Sequence, residues 1–215
     1  MRSRCWPSIA AAIDYLAYLK TQRADIRNEQ PLVTGEERPE KTVYADKTGP
    51  RGDIYPKGSW IAHTLRQLIG DAAFFKSVRI LVYGRADPRP GNFVPQFGTT
   101  QGYLKIVNDV TGKDYKWFFD AYFYRAALPK LVTARADGAV KLHWEVPDNL
   151  PFPMPVDVRV GDRVVTLPMT DGTGSISVPA DVSITLDPAS KILMQSDAID
   201  KFQAWRAAQP EKPKN

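Results

Sequence analysis

The stretch Asp53-Ile54-Tyr55-Pro56-Lys57-Gly58-Ser59-Trp60 places a tyrosine in a turn, immediately before an amphipathic segment that runs to Gly70. The apolar residues of that segment recur at the spacing of one helical face. They are Ile61, Leu65, Leu68 and Ile69. Gly70 is expected to end this helix and Asp71 to begin the next. A phenol on a turn beside a buried helix is a positioned hydrogen-bond donor, so the stretch predicts a candidate site as well as a helix.

Two blocks of the sequence resemble the aminopeptidase N family of zinc metallopeptidases. The first consists of Tyr55-x-Lys57-Gly58, an apolar helix that ends in Leu-x-x-Leu-Ile-Gly-Asp, and Phe74-Phe75. The second keeps the order and rough spacing of that family, and it consists of Phe97-Gly98-Thr99-Thr100, Val110-Thr111-Gly112-Lys113-Asp114, Trp117-Phe118-Phe119-Asp120 and Leu128-Pro129. The blocks cover roughly residues 50–130, and from Leu131 onwards the chain is similar to the family in pattern only.

The resemblance implies a catalytic role for Tyr55. In that family, the tyrosine of the turn donates a hydrogen bond to the oxyanion of the tetrahedral intermediate. A preorganised donor suits a reaction in which a zinc-bound water attacks a peptide carbonyl and negative charge develops on its oxygen. Lys57 and Gly58 are expected to set the geometry of the turn rather than to contact the substrate.

The zinc site of that family, His-Glu-x-x-His on a helix with a further glutamate, does not occur in this sequence. The chain has two histidines, His63 and His143, and no metal-ligand spacing links them. Because a catalytic zinc site needs three protein ligands, we expect no metal site and no cofactor in this chain, and zinc is implied for full-length family members alone. His63 is expected to be a partly buried helix residue, with the alternative that it lines the cleft behind Tyr55. His143 is expected to be exposed or half-buried in a strand.

The hydrophobic period predicts an α+β protein with two domains and a tail. Residues 1–129 are predicted to be helical, and the resemblance implies the C-terminal half of a thermolysin-like catalytic domain. Residues 130–208 are predicted to form a small antiparallel β-sandwich with a short C-terminal helix, and residues 209–215 a disordered tail. The connection 29–57 is predicted to be irregular and to deliver Tyr55.

Element bounds follow from the same patterns. Helices are predicted over residues 6–28, 58–70, 72–84, 99–110, 114–125 and 197–208, and strands over residues 131–136, 140–146, 155–160, 163–167, 175–178 and 182–186. The predicted buried faces of the first helix and of the helix after Gly70 contain Ile9, Ile13, Leu16 and Ala17, and Phe74, Phe75, Val78, Leu81 and Val82. The aromatic segment 114–125 is interpreted as core packing rather than a ligand platform.

Composition narrows the class of protein. The chain has 215 residues, of which 43% are hydrophobic, so it can bury a core. The net charge of +5 is scattered among acidic residues, which argues against a nucleic-acid partner. No apolar run has the ~18 residues that a membrane span needs. Asp14 interrupts the apolar N-terminal segment, so no clear signal peptide is predicted and the compartment stays open. The single cysteine, Cys5, cannot form an internal disulfide.

Two functions follow from these features. In the first, the chain is the C-terminal portion of a zinc aminopeptidase that hydrolyses N-terminal residues from peptides, and it is inactive alone because the zinc motif is absent. Its partners are then a peptide substrate and the missing N-terminal half, or a second copy that covers the apolar face of the first helix. In the alternative, the chain is a non-catalytic protein-binding or structural module derived from such an enzyme.

Overall fold

Seven α-helices and two three-stranded antiparallel sheets make up the described part of the chain. The computed structural model describes residues 9–45, 50–94, 96–179 and 181–208, with the backbone alone for residues 9–13, 44, 45 and 51. The helices are α1 (Ile9–Arg23), α2 (Glu40–Ala45), α3 (Pro56–Ile69), α4 (Asp71–Tyr83), α5 (Thr100–Thr111), α6 (Lys116–Tyr122) and α7 (Asp197–Ala207). The strands are β1 (Lys130–Ala136), β2 (Ala139–Glu145), β3 (Val156–Val160), β4 (Arg163–Leu167), β5 (Thr173–Ser177) and β6 (Ile184–Leu186). The α+β prediction is confirmed, while Cys5 and the predicted tail lie outside the described residues.

The break between α3 and α4 falls at Gly70, as predicted. Gly70 has a φ of +82°, a conformation that favours glycine, and its amide still donates to the carbonyl of Arg66. Arg66 also pairs with Asp71 through Nε at 2.8 Å and Nη2 at 2.9 Å, which fixes the angle between the two helices. The start of α3 differs from the prediction, because Pro56 occupies its first turn, where proline is tolerated.

The aromatic helix α6 forms the centre of the core. Phe118, Phe119 and Tyr122 are fully buried, so the prediction of core packing is confirmed. The Tyr122 hydroxyl donates to the carbonyl of Leu193 at 2.6 Å, and burial raises the pKa of this phenol well above its ordinary value. Trp60 of α3 is also fully buried, and its indole nitrogen donates to the carbonyl of Leu19 at 2.6 Å.

Three predictions about the helical part were wrong in detail. Ala17 of α1 is exposed, whereas Leu16 is half-buried and Leu19 is buried, so the predicted buried face is wrong at Ala17. On α4, Phe75 and Val82 are exposed, whereas the small Ser77 is fully buried. The buried face of α4 is therefore centred on Ser77, whose hydroxyl lies 3.3 Å from the hydroxyl of Tyr103. The connection 29–57 is not wholly irregular, since it contains α2 and a 3-10 turn at Arg51–Ile54.

The first helix also ends earlier than predicted, at Arg23 rather than at residue 28. Asn28 has a φ of +54°, so a helix cannot continue through it. The amides of Arg27 and Asn28 instead donate to the carboxylate of Asp53, which lies at the tyrosine turn. Residues 27 and 28 are therefore anchored by a side chain rather than by helical hydrogen bonds.

The strands form two sheets with the orders β1-β2-β5 and β4-β3-β6. The predicted hairpin turn Asp137-Gly138 joins β1 and β2, and both of its residues have positive φ. Alternate residues of β2, namely Val140, Leu142 and Trp144, are buried together with Val156 and Val158 of β3. The indole nitrogen of Trp144 donates to the carbonyl of Met154 at 2.9 Å and links the two sheets.

The helical and the strand parts share one hydrophobic core. Residues after β6 return to α3, where the amide of Leu193 donates to the hydroxyl of Thr64 at 2.9 Å. Among the described residues, no helix is long and apolar enough to cross a membrane.

We expect Phe118→Ala to lower the free energy of unfolding by about 3–5 kcal/mol, because it removes a fully buried ring and leaves a cavity. Urea unfolding followed by circular dichroism measures the change. Phe97→Ala is the matched control, since the Phe97 ring is fully exposed, and it should alter the same free energy by less than about 0.5 kcal/mol. Equal effects of the two substitutions would contradict the position given to α6.

Candidate active site

Tyr55 lies between the 3-10 turn and the first residue of α3. Its amide donates to the carbonyl of Gly52 at 3.1 Å, and its carbonyl accepts from the amide of Ser59 at 2.8 Å, so its backbone is held on both sides. The side chain is 59% exposed. The turn therefore presents the Tyr55 side chain at the surface from a backbone that is hydrogen-bonded on both sides.

Asp53, two residues before the tyrosine, is buried to 2% exposure. Its Oδ1 accepts from the amide of Arg27 at 2.9 Å and its Oδ2 from the amide of Asn28 at 2.8 Å. Burial raises the pKa of Asp53, while the two amide donors and the charge of Lys57 act in the opposite direction. Both carboxylate oxygens are used to hold the chain that follows α1, so Asp53 supports the turn from the inside.

Lys57, two residues after the tyrosine, is fully buried. Its Nζ donates to the carbonyl of Arg125 at 3.1 Å and to that of Ala126 at 2.5 Å. Burial lowers the pKa of Lys57 to about 8, against the opposing effect of the negative charge of Asp53. Lys57 thus holds the turn and does not face the surface, in line with the expectation from sequence. Gly58 has neither a positive φ nor any atom close to where a Cβ would lie, so no special turn geometry requires it.

His63 is an internal histidine. It is 2% exposed, its Nδ1 lies 3.2 Å from the Tyr15 hydroxyl and its Nε2 lies 3.0 Å from the carbonyl of Ser190. A carbonyl can only accept, so Nε2 carries the proton and Nδ1 accepts from the tyrosine. Burial lowers the pKa of His63, with the Ser190 bond acting in the opposite direction. The interpretation as a buried helix residue holds, and the alternative of a cleft-lining histidine does not fit this burial.

The two histidines do not fit a zinc site. Both ring nitrogens of His63 are engaged by protein groups, and His143 lies on the exposed side of β2, paired across the sheet with Val132 and Thr173. Among the described residues, no group of three or more His, Cys, Asp or Glu side chains could hold a metal ion.

The carboxylates near the aromatic helix have structural partners. Asp114 Oδ1 accepts from the Asn108 side chain at 3.1 Å and from the Lys116 amide at 2.8 Å, in the turn before α6. Asp120 pairs with the Lys116 ammonium at 2.5 Å. Neither arrangement is that of a general acid and base acting together, as the sequence also suggested.

A groove of about 500 Å³ lies elsewhere, where the chain after α1 meets the strands and α7. Its walls include the amide side chains of Asn28, Gln195 and Gln203, together with Lys130 and Glu145. Tyr55 is not among the lining residues. The candidate site is consequently a surface position on a turn and not this groove.

Sequence reasoning overlooked Asp53 and did not foresee the burial of Lys57. Charged residues are expected at the surface, so the local sequence gave no signal for either burial. Their partners, residues 27, 28, 125 and 126, are distant in sequence and carry no signal of their own.

Comparison with known proteins bears on the fold. No protein-family model and no curated protein matches the chain. Among solved structures, the chain is similar to aminopeptidase A of Legionella pneumophila, determined in complex with aspartic acid. The TM-score is 0.53, the sequence identity is 14%, and the matched region covers 87% of this chain and 23% of the aminopeptidase.

At this identity the likeness shows the fold alone. The described residues have the fold of part of a peptidase, and the chain spans about a quarter of the length of the aminopeptidase that it matches. The part of the expectation that is confirmed is a peptidase-like fold.

We expect the free energy of unfolding of the wild-type chain to rise relative to that of Lys57→Met between pH 8 and pH 10.5. In this interval the unfolded chain keeps a proton on the lysine, whose ordinary pKa is 10.5, whereas the folded chain has released it near pH 8. Stability therefore rises with pH, by at most about 1.4 kcal/mol per pH unit. Urea unfolding at pH 7, 8, 9 and 10 measures the difference, and the effects of other groups cancel in it.

Lys105→Met is the control, because the Lys105 side chain is 75% exposed on α5. It shows what replacing an exposed lysine with methionine does to the same free energy. A flat difference for Lys57→Met would show that the buried ammonium does not titrate as described.

Proposed function

We propose that this chain is the C-terminal portion of a zinc aminopeptidase of the aminopeptidase N type, and that Tyr55 is its oxyanion donor. The observation that carries the proposal is the contrast at the turn. Tyr55 is 59% exposed, whereas Asp53 and Lys57 on either side are buried and bonded to distant backbone. A fold that is similar to part of an aminopeptidase supports the same assignment.

The finer architecture belongs to this proposal. The helical part corresponds to the second half of a thermolysin-like catalytic domain, and the two sheets correspond to the β-sandwich domain that follows it. The sequence blocks that resemble the family end at Leu128-Pro129, and β1 begins directly afterwards, at Lys130, which supports this division. Buried residues of β2 and β3, one strand from each sheet, belong to the same core, which supports the sandwich, and that core continues into the helices.

The proposed chemistry of this chain is electrostatic. When water adds to the peptide carbonyl, the carbonyl oxygen becomes an oxyanion, and the Tyr55 hydroxyl donates a hydrogen bond to it. The bond is stronger to the oxyanion than to the ground-state carbonyl, so it lowers the barrier. Zinc, held by the His-Glu-x-x-His motif that this sequence lacks, would supply the activated water in the full-length enzyme. In this proposal the chain is inactive by itself.

An exposed aromatic surface supports a partner for the helical part. Tyr15 and Tyr18 of α1 are 38% and 63% exposed, and Phe75 of α4 is 44% exposed. The guanidinium of Arg66 lies 5.8 Å from the centre of the Tyr15 ring and 5.1 Å from that of Phe75, so the surface is continuous across α3. We propose that the zinc-bearing half covers this surface and that copies of the chain associate through it when that half is absent. Beyond this half and the peptide substrate, the proposal includes neither a nucleic acid nor a membrane as a partner.

We expect the purified chain to hydrolyse no aminoacyl-aminomethylcoumarin substrate, with or without added zinc, because the donor alone does not activate water. Fluorescence release over hours measures the rate. Zinc-dependent hydrolysis that a chelator abolishes would contradict the proposal, since the zinc site would then lie in this chain.

We expect Tyr55→Phe to lower kcat by roughly 10²–10³-fold once the chain is assembled with a polypeptide that carries His-Glu-x-x-His, because one oxyanion donor is lost. KM should stay within about twofold, since ground-state binding does not use that bond. Tyr83→Phe is the control, because it also removes a tyrosine hydroxyl, from the end of α4, where the Tyr83 ring packs against Phe93 away from the turn. An assembled enzyme that is indifferent to Tyr55→Phe would remove the catalytic role, and an assembly without peptidase activity would favour the non-catalytic module.

A further inference from the structure

We propose that Lys57 is a positioning residue for Tyr55, and that it couples the tyrosine to the connection between α6 and β1. This inference rests on the proposed function for its catalytic meaning, whereas its structural content can be measured without any activity. The coupling runs through the bonds from Lys57 Nζ to the carbonyls of Arg125 and Ala126.

A lysine at this buried position indicates that its hydrogen bonds, and not its volume alone, hold the side chain in one direction. An ammonium group inside a protein is costly, and an apolar side chain of similar length would fill the same volume at lower cost. Lys57 nevertheless has 0% exposure, and its ammonium points at two successive backbone carbonyls. Hydrogen bonds to carbonyls restrict the direction of the side chain, which packing of a flexible aliphatic chain would not do to the same degree.

The geometry connects this side chain to Tyr55 through little intervening backbone. Pro56 and Lys57 are the first two residues of α3, and Tyr55 precedes them. Because Pro56 has a fixed φ, a movement of the Lys57 backbone is passed on to Tyr55 rather than absorbed. On the other side, Asp53 holds the turn to the amides of Arg27 and Asn28, so the tyrosine lies between two anchors.

The far end of the coupling is the connection from the helical part to the strands. Its carbonyl at Phe123 accepts from the amide of Val33 at 3.0 Å, and Arg125 Nε donates to Asp148 Oδ2, in the turn after β2, at 2.5 Å. The two bonds from Lys57 Nζ join the turn that contains Tyr55 to the same connection. A displacement of the strand part relative to the helices would therefore change the direction of the Tyr55 phenol before it disturbs the core around α6.

Amide hydrogen exchange of the full 215-residue chain tests the coupling directly. We expect Lys57→Met to speed up exchange in two separate segments, residues 52–58 and 123–127, by roughly tenfold or more, because both lose the same anchor. Exchange in α4 and α5 should stay within about twofold of wild type. The control Lys105→Met should leave all four segments unchanged. Unchanged exchange at residues 52–58, or an equal increase in every segment, would overturn the proposal.

A measurement on the wild-type chain keeps the test valid if Lys57→Met does not fold. We expect the nitrogen-15 spectrum of the lysine ammonium groups near pH 6 to contain a resonance protected from exchange with water. It should be absent from Lys57→Arg, which assigns it. A wild-type chain in which every ammonium exchanges at the rate of an exposed lysine would overturn the proposal.

The assembled peptidase separates this inference from the proposed function. There we expect Lys57→Met to lower kcat by roughly tenfold with little change in KM, and to have no further effect in the Tyr55→Phe background, because the two residues act through one phenol. If Tyr55→Phe has no effect on kcat, the proposed function fails while the exchange results still decide the coupling. If the effects of the two substitutions multiply fully, the positioning role is overturned while the catalytic role of Tyr55 stands.

Discussion

The bonds from the buried ammonium of Lys57 to the carbonyls of Arg125 and Ala126 constrain much of this molecule. An ammonium group that has lost its water must keep its acceptors, so α3 and the connection after α6 cannot separate without a large free-energy cost. The two elements meet through Trp60 and the aromatic residues of α6 in the same core. The constraint therefore brings together the tyrosine turn, the centre of the helical part and the start of the first strand.

The turn shows how a surface position can be rigid without being buried. Asp53 and Lys57 carry opposite charges into the interior, and each finds backbone partners far away in sequence. The phenol between them keeps its exposure, and its backbone is bonded to Gly52 and Ser59. Residues of this chain alone build this arrangement. A peptidase that used the turn would thus obtain its donor already positioned, and the metal-bearing part would have only to dock beside it.

Local sequence signals predicted the local features well. Gly70 marked the break between α3 and α4, and Asp137-Gly138 marked a hairpin. The pair Thr99-Thr100 marked the start of α5, and of the two it is the Thr99 hydroxyl that accepts from the Gly102 amide, at 2.9 Å. The aromatic density of α6 was enough to place it in the core. These features depend on backbone conformation or on bulk hydrophobicity, and both are visible within a short window of sequence.

Features that depend on distant partners were not visible in this way. A lysine is expected at the surface, so nothing in the local pattern indicated that Lys57 reaches residues 125 and 126. The bond from His63 to Ser190 spans 127 positions. The exposure of Phe75 follows from how α4 lies against its neighbours, which a helical period alone does not determine. The position of Tyr55 on a turn was predictable, whereas its role in catalysis is still a prediction.

The two buried tryptophans give the chain an optical property of its own. Trp60 lies in the helical part, with the guanidinium of Arg23 stacked 3.8 Å from the centre of its ring, and Trp144 lies in the strand part against Phe152. A cation in contact with an indole alters its emission, whereas an indole against a phenyl ring keeps the emission of an apolar site. The sequence contains three further tryptophans, so a variant that keeps Trp60 or Trp144 as its one tryptophan would report by fluorescence on the helical part or on the strand part alone.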